Sequence, residues 1–238
     1  MLELKNLTKI YGGGKKAVDD ISLKVEKGEI FGFIGPNGAG KTTTIKIITG
    51  ILNPTKGNLL LDGVSIADDP VAAKKVFTYV PDNTSIFDGI KGIDYINFIG
   101  NIYEIDPSVR KELCEKFTKA FEIYDDLKKP ISSYSQGMRQ KLMISAALIP
   151  QPRLFILDEP MLGLDPRSSR LIKDIMKEHS MNGGTVFFSS HVLEVVENLC
   201  DRIAIIHRGK LIAVGTVGDI KRQGSSLEEI FLEMTANE

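Results

Sequence analysis

Ile30 to Thr43 reads IFGFIGPNGAGKTT. An apolar strand-like run enters a glycine-rich loop, and a helical pattern leaves it. Gly35 to Thr43 fits G-x-x-x-x-G-K-[ST]. Gly35, Gly38 and Gly40 let the backbone curl and turn successive N–H groups outward, with Pro36, Asn37 and Ala39 completing the loop. Those donors meet phosphate oxygens at the positive end of the following helix. Lys41 adds a point charge for β- and γ-phosphates. The Thr42 hydroxyl suits Mg²⁺, and Thr43 reaches a nearer phosphate. The alternative is a glycine-rich turn that binds nothing; the strand before it and the helix after it count against that.

Outward from this loop the chain divides by pattern. LELKNLTKIY and ISLKVEKGEIFGFIG read as β-structure, with turn signals at GGG and KG. GNLLLDG and KKVFTYVP read as further strands. From about Thr84 to Ile149 the period is mostly helical, with breaks at Pro107 and Pro130, and predicts an inserted helical subdomain. Beyond it come strand RLFILD, a helix from Pro166 to about Met181, strand TVFFSS, helix LEVVENLC, and strands RIAIIH and KLIAVG. Strands alternating with helices predict an α/β fold, its largely parallel sheet covered on both faces.

RLFILDEP, Arg153 to Pro160, ends an apolar strand in two carboxylates. In a parallel sheet such ends face the ligand crevice. Adjacent strand residues point to opposite sides, so Asp158 and Glu159 are expected to differ in role. Asp158 is assigned to Mg²⁺ through water, and Glu159 to the water that attacks a γ-phosphate. SSHVLE places His191 at a strand end, where it can contact the γ-phosphate and orient that water; a capping or packed histidine is the alternative. Asp165, in GLDPRSS, can N-cap a helix that opens with Pro166. Tyr11 could stack on adenine or sit half-buried at a strand end. YSQGMRQK, Tyr134 to Lys141, reads as a second helix start, with Ser135 as cap and Gly137 in the first turn.

Composition sets outer bounds. Among 238 residues, 30 basic against 31 acidic side chains leave a net charge of −1, which makes no electrostatic case for nucleic acid. Cys114 and Cys200 have no metal-ligand spacing and no disulfide framework, so a reducing compartment is expected. MLELKNLTKIYGGGKK lacks the apolar core of a signal peptide. No apolar run approaches the ~20 residues a membrane helix needs.

Taken in order, the phosphate loop, the helical insertion, YSQGM, LFILDEP, GLDP and SSH resemble the ATP-binding cassette (ABC) ATPases nearly end to end. The resemblance implies one P-loop NTPase domain over residues 1–238. It would have a mainly parallel core sheet, an N-terminal antiparallel β-subdomain and an inserted helical subdomain at 84–149. YSQGM resembles the signature motif, best at Ser135 and Gly137, while Gln136 and Met138 depart from the usual letters. In that family the signature helix of one subunit faces the γ-phosphate held by the other. Ser135 and Gly137 would then serve ATP across a dimer and Asp165 would also be ATP-binding, with Lys41, Glu159 and His191 catalytic and Mg²⁺ beside Thr42, Asp82 and Asp158. A Y-S-x-G-M signature and the tail SSLEEIFLEMT resemble the separate ATPase subunits of type-two exporters. Within the 217–238 tail, Leu227, Ile230, Phe231 and Met234 share one helix face, and Ser226 with Glu229 forms a capping box. That face packs on its own domain or meets a partner.

One departure stands out. Where the family usually has glutamine after VFTYVP, this chain has Asp82, which can accept from metal-bound water, cannot donate, and is one carbon shorter. The resemblance implies a cytoplasmic subunit, peripheral on the inner face of the membrane. Its partners would be an integral-membrane permease and a second copy of itself or a similar chain. NTSIFDGIKGIDYINFIG would offer apolar residues for permease docking. Rival readings are an importer ATPase, a soluble ABC ATPase working on nucleic acid or the ribosome, and a regulatory module that binds ATP without hydrolysis. The single cassette, the lack of a basic block and the intact Glu159 and His191 weigh against the last two.

Overall fold

The strand that feeds the glycine loop lies between neighbours distant in sequence. The computed structural model describes residues 1–83, 87–221 and 227–236, with side chains through 232. Along the chain, β1 (Leu2–Ile10) and β2 (Lys16–Val25) pair around Gly12–Gly14. β3 (Ile30–Ile34) then leads through the glycine loop to α1 (Lys41–Ile48). β4 (Lys56–Leu61), β5 (Val64–Ser65), α2 (Pro70–Lys74) and β6 (Phe77–Val80) follow. Next come α3 (Gly92–Ile102), α4 (Pro107–Ala120) and α5 (Gln136–Leu148). Alternation resumes with β7 (Leu154–Asp158), α6 (Pro166–Met181), β8 (Thr185–Ser190) and α7 (Leu193–Leu199). β9 (Arg202–His207), β10 (Lys210–Thr216), α8 (Val217–Ile220) and α9 (Leu227–Ala236) complete it.

One sheet has the order β10-β9-β3-β8-β7-β6, parallel throughout except the β9–β10 pair. The other, β2-β1-β4-β5, is antiparallel. β3, β7 and β8 are buried along their whole length, which is why apolar residues follow one another in them, as in residues 154–157 and 186–188, rather than alternating with polar ones. The pleat divides their side chains between two cores. Phe31 and Phe33 join Leu2, Leu4 and Ile45 on one face; Ile30 and Ile34 join Ile144, Met176 and Val196 on the other. Phe31 stacks on Phe187 with ring centroids 5.9 Å apart. Burying one such ring contributes about 1.5–3 kcal/mol. The parallel sheet is thus a middle layer, with the antiparallel sheet and α1 on one face and helices on the other.

Two local outcomes refine the sequence reading. The break at Pro107 is a helix start: Asp106 Oδ1 accepts from the Ser108 amide at 2.8 Å, and Pro107 occupies the first helical position, where a missing N–H is harmless. The Ser226–Glu229 capping box lies outside the described residues, because Ser226 does; a capping box does form at Thr216 and Asp219, opening α8. Leu227 and Ile230 of α9 are buried in the helical-face core and Phe231 packs against it, so this part of the apolar face packs on its own chain.

Candidate active site

β3, β8, β7 and β6 run parallel, so their C-terminal ends share one edge. The glycine loop, Asp82, Asp158, Glu159 and His191 emerge there together. An open cleft of about 600 Å³ is lined by Pro36, Asn37, Gly38, Gly40, Lys41, Thr42 and Thr43, with Tyr11, Asp82 and Glu159 around them. That size is ordinary for a small-molecule site. Lys15, Lys16 and Arg208 also line it, cations suited to a polyphosphate that the sequence reading had not singled out.

The loop is shaped by its neighbours. Gly40 has φ +114°, and a β-carbon there would lie 2.4 Å from the Ala17 carbonyl, so only glycine fits. Gly35 and Ala39 sit behind the cleft; the Ala39 carbonyl accepts from the Gly209 amide at 2.8 Å and ties the loop to the β9–β10 turn. Lys41 is buried and donates to the Gly35 carbonyl at 2.7 Å and the Pro36 carbonyl at 3.3 Å. Its ammonium is 3.6 Å from Glu159 Oε1. Glu159 Oε2 in turn meets His191 Nδ1 at 2.9 Å. An ionised Glu159 can only accept, so Nδ1 carries the proton of that bond. Lys41, Glu159 and His191 thus form one connected chain of groups.

Asp158 and Glu159 do diverge, by a different device from the strand pleat. β7 ends at Asp158, and Glu159 turns left-handed with φ +50°. Asp158 is fully buried and accepts from Ser189 Oγ at 2.5 Å through Oδ1. Burial pushes its carboxyl pKa up. The Ser189 and Thr42 hydroxyls oppose that shift, and the nearby Asp82 and Glu159 charges add to it. Oδ2 is buried and reached by no hydrogen bond. A desolvated carboxylate oxygen beside Thr42 and Asp82 fits a divalent cation. Asp82 lines the cleft and accepts from the Asn83 amide at 2.8 Å through Oδ1.

Ser135 and Gly137 are not among the residues lining this cleft. Ser135 caps α5 as expected, accepting from the Met138 amide at 3.2 Å. A β-carbon at Gly137 would lie 2.7 Å from the Gly163 carbonyl. The loop after β7 therefore requires this glycine within the chain, a reason the sequence reading had not seen. The same loop is held to α5 by Gln140 Nε2 on the Pro160 carbonyl, 3.2 Å, and by Lys141 on Asp165 Oδ2, 2.8 Å. Asp165 caps α6 through the Ser168 amide and hydroxyl, 2.8 and 2.7 Å. Lys141 foremost, then those Ser168 contacts, hold its carboxyl well below the usual range. Tyr11 is exposed just past β1, with the Lys9 ammonium 5.6 Å from its ring centre.

Residues 18–162 match the ABC transporter family. The chain is similar to the linearmycin resistance ATP-binding protein LnrL of Bacillus subtilis (strain 168), 37% identical over 220 residues, which cover 92% of this chain and 70% of that protein. Its fold matches a solved ATP-binding subunit of an ABC transporter with TM-score 0.93 and 32% identity, covering 98% of this chain and 99% of that one. A likeness of fold alone extends to the dimeric structure of the bacterial ABC transporter cassette MJ0796, with TM-score 0.82 and 23% identity over 91% of this chain and 99% of that one. With its phosphate loop opening on an acidic strand end, the chain belongs to the ABC transporter family as an ATP-binding subunit, an ATPase whose hydrolysis is coupled to transport.

Proposed function

We propose that this chain is the ATPase subunit of an exporter, closing on ATP against a second copy of itself or a similar chain to drive a separate permease. One observation carries the reading: the site is half-built. The cleft has Lys41 and Glu159, with His191 bonded to Glu159 behind them, while Ser135 and Gly137 do not line it and stand at the start of α5. A second chain facing the first would bring that helix start to the cleft, its free amides and dipole toward the γ-phosphate. Direction follows the likeness to a resistance ATP-binding protein. Residues 1–238 would work as one domain, with 84–149 as its inserted helical part and 217–238 as a tail.

In this reading the phosphates of ATP lie on the amides of residues 35–43 and on Lys41, and Tyr11 stacks on the base. Thr42, Asp158 through water, and Asp82 would hold Mg²⁺, which adds positive charge to the β- and γ-phosphate oxygens. Glu159 takes a proton as water oxygen bonds to the γ-phosphorus and the bond to the leaving ADP oxygen breaks. His191 orients the water and fixes the Glu159 carboxylate. Replacing Asp82 tests its place. Asp82→Ala is expected to raise the half-saturating Mg²⁺ concentration about tenfold, and to weaken Mn²⁺ binding to the ATP-bound protein alike. Asp82→Gln, still an acceptor, should stay near the parent. An alanine variant with unchanged cation dependence removes Asp82 from the metal.

The permease contact is assigned to the segment after Asp82, of which 84–86 lie outside the described residues. Phe87, Phe98 and Ile102 are 44%, 45% and 53% exposed, and the Phe87 ring is 5.7 Å from that of Phe98. Phe87 also holds a left-handed φ of +66°, a costly conformation for an aromatic residue. Clustered exposed apolar groups mark interaction surfaces. In this reading the chain works peripherally on the cytoplasmic face, beside its permease. Among the described residues no helix is long and apolar enough to cross a membrane. Phe98→Glu should move the protein from the membrane fraction to the soluble fraction of cells, with the purified ATPase rate unchanged. Undiminished membrane association would place the docking surface elsewhere.

A further inference from the structure

A single hydroxyl joins the two acidic residues at the end of β7. Ser189 on β8 stands opposite Asp158 in the parallel register and is fully buried. Its Oγ donates to Asp158 Oδ1 at 2.5 Å and accepts from the Glu159 amide at 3.0 Å. The polarity is fixed: a carboxylate only accepts, an amide N–H only donates, and the hydroxyl has one proton to give. The adjacent serine has another job, since Ser190 Oγ takes the Val192 amide at 3.0 Å.

Each contact constrains a different part of the site. With Oδ1 taken by Ser189, Asp158 keeps only Oδ2 without a partner. The second contact holds the backbone of Glu159 at φ +50°, a region that non-glycine residues adopt at a cost and keep only when their surroundings fix them. Relaxing that turn would swing the Glu159 carboxylate away from His191 and Lys41, now at 2.9 and 3.6 Å.

We propose that Ser189 is a positioning residue for ATP hydrolysis, aiming the Glu159 carboxylate and selecting the free oxygen of Asp158 through one buried hydroxyl. This rests on the assignment of Glu159 as the base. Ser189→Ala, Ser189→Thr and Glu159→Gln are compared with the parent for kcat, KM for ATP, cation-free ATP affinity and melting temperature. Ser189→Ala should lower kcat about tenfold or more, with KM and cation-free affinity within about twofold. Ser189→Thr, which restores the hydroxyl, should return kcat to within about threefold of the parent. Ser189→Ala turning over at the parental rate overturns the proposal. So does a loss of cation-free ATP affinity in step with kcat, because that is loosening of the whole site. A folded Ser189→Thr as slow as the alanine variant overturns it too; if the threonine variant shows no cooperative melting, the kcat-against-KM split of Ser189→Ala decides. Full activity in Glu159→Gln would sink the base assignment itself, whereas an inactive Glu159→Gln beside an active Ser189→Ala sinks the Ser189 role alone.

Discussion

Glu159→Gln is expected to lower ATP turnover by about 10²–10⁴-fold, the usual worth of a positioned general base. That corresponds to roughly 3–5.5 kcal/mol of transition-state stabilisation. The amide keeps the size of the side chain and can still accept from His191 Nδ1, so the 2.9 Å contact has no reason to break. What it cannot do is take a proton from water. Binding should survive and even tighten. The substitution removes a negative charge 3.6 Å from Lys41, leaving that ammonium freer for the triphosphate and lifting a like-charge repulsion. Steady-state phosphate release and ATP affinity on the same preparation check both halves. Hydrolysis within a few-fold of the parent, or loss of ATP binding together with turnover, would contradict the assignment.

Much of this was legible in local pattern. Ile30 to Thr43 announces a buried parallel strand, a phosphate loop and a helix because each rests on short-range chemistry: apolar run, glycine spacing, lysine, hydroxyl. Asp165 and Ser135 are readable as caps for the same reason, since a cap and its target are neighbours in sequence. The illegible part depends on approaches across the fold. Ser189 meets Asp158 only because β7 and β8 pair in one register. Nothing in YSQGM reveals that the Gly163 carbonyl sits against Gly137. Lys15 and Lys16 reach the cleft from the start of β2 and Arg208 from the β9–β10 turn of the other sheet, and no motif spacing joins them. Asp158 and Glu159 do point different ways, as the strand end suggests, though the cause is a left-handed turn.

The close approach of Gly163 also decides how the sandwich should be tested. Gly137→Asp would clash inside its own chain, so its failure would say nothing about a partner. Ser135→Asp avoids this: aspartate caps a helix as well as serine, so α5 keeps its start. The added carboxylate would face the γ-phosphate of the other chain and stop its hydrolysis. Lys41→Ala disables the phosphate loop of its own chain. Each variant alone should be inactive. Mixed at equal amounts, they form dimers in which one site carries both defects and the other carries neither. Phosphate release should return to roughly a quarter of the parent rate, the share of intact sites in a randomly mixed population of symmetric dimers. Cysteines at Asn37 and Ser135 of different chains should cross-link when ATP is added. No recovery at any mixing ratio, with no such cross-link, would contradict a site shared between two copies of this chain.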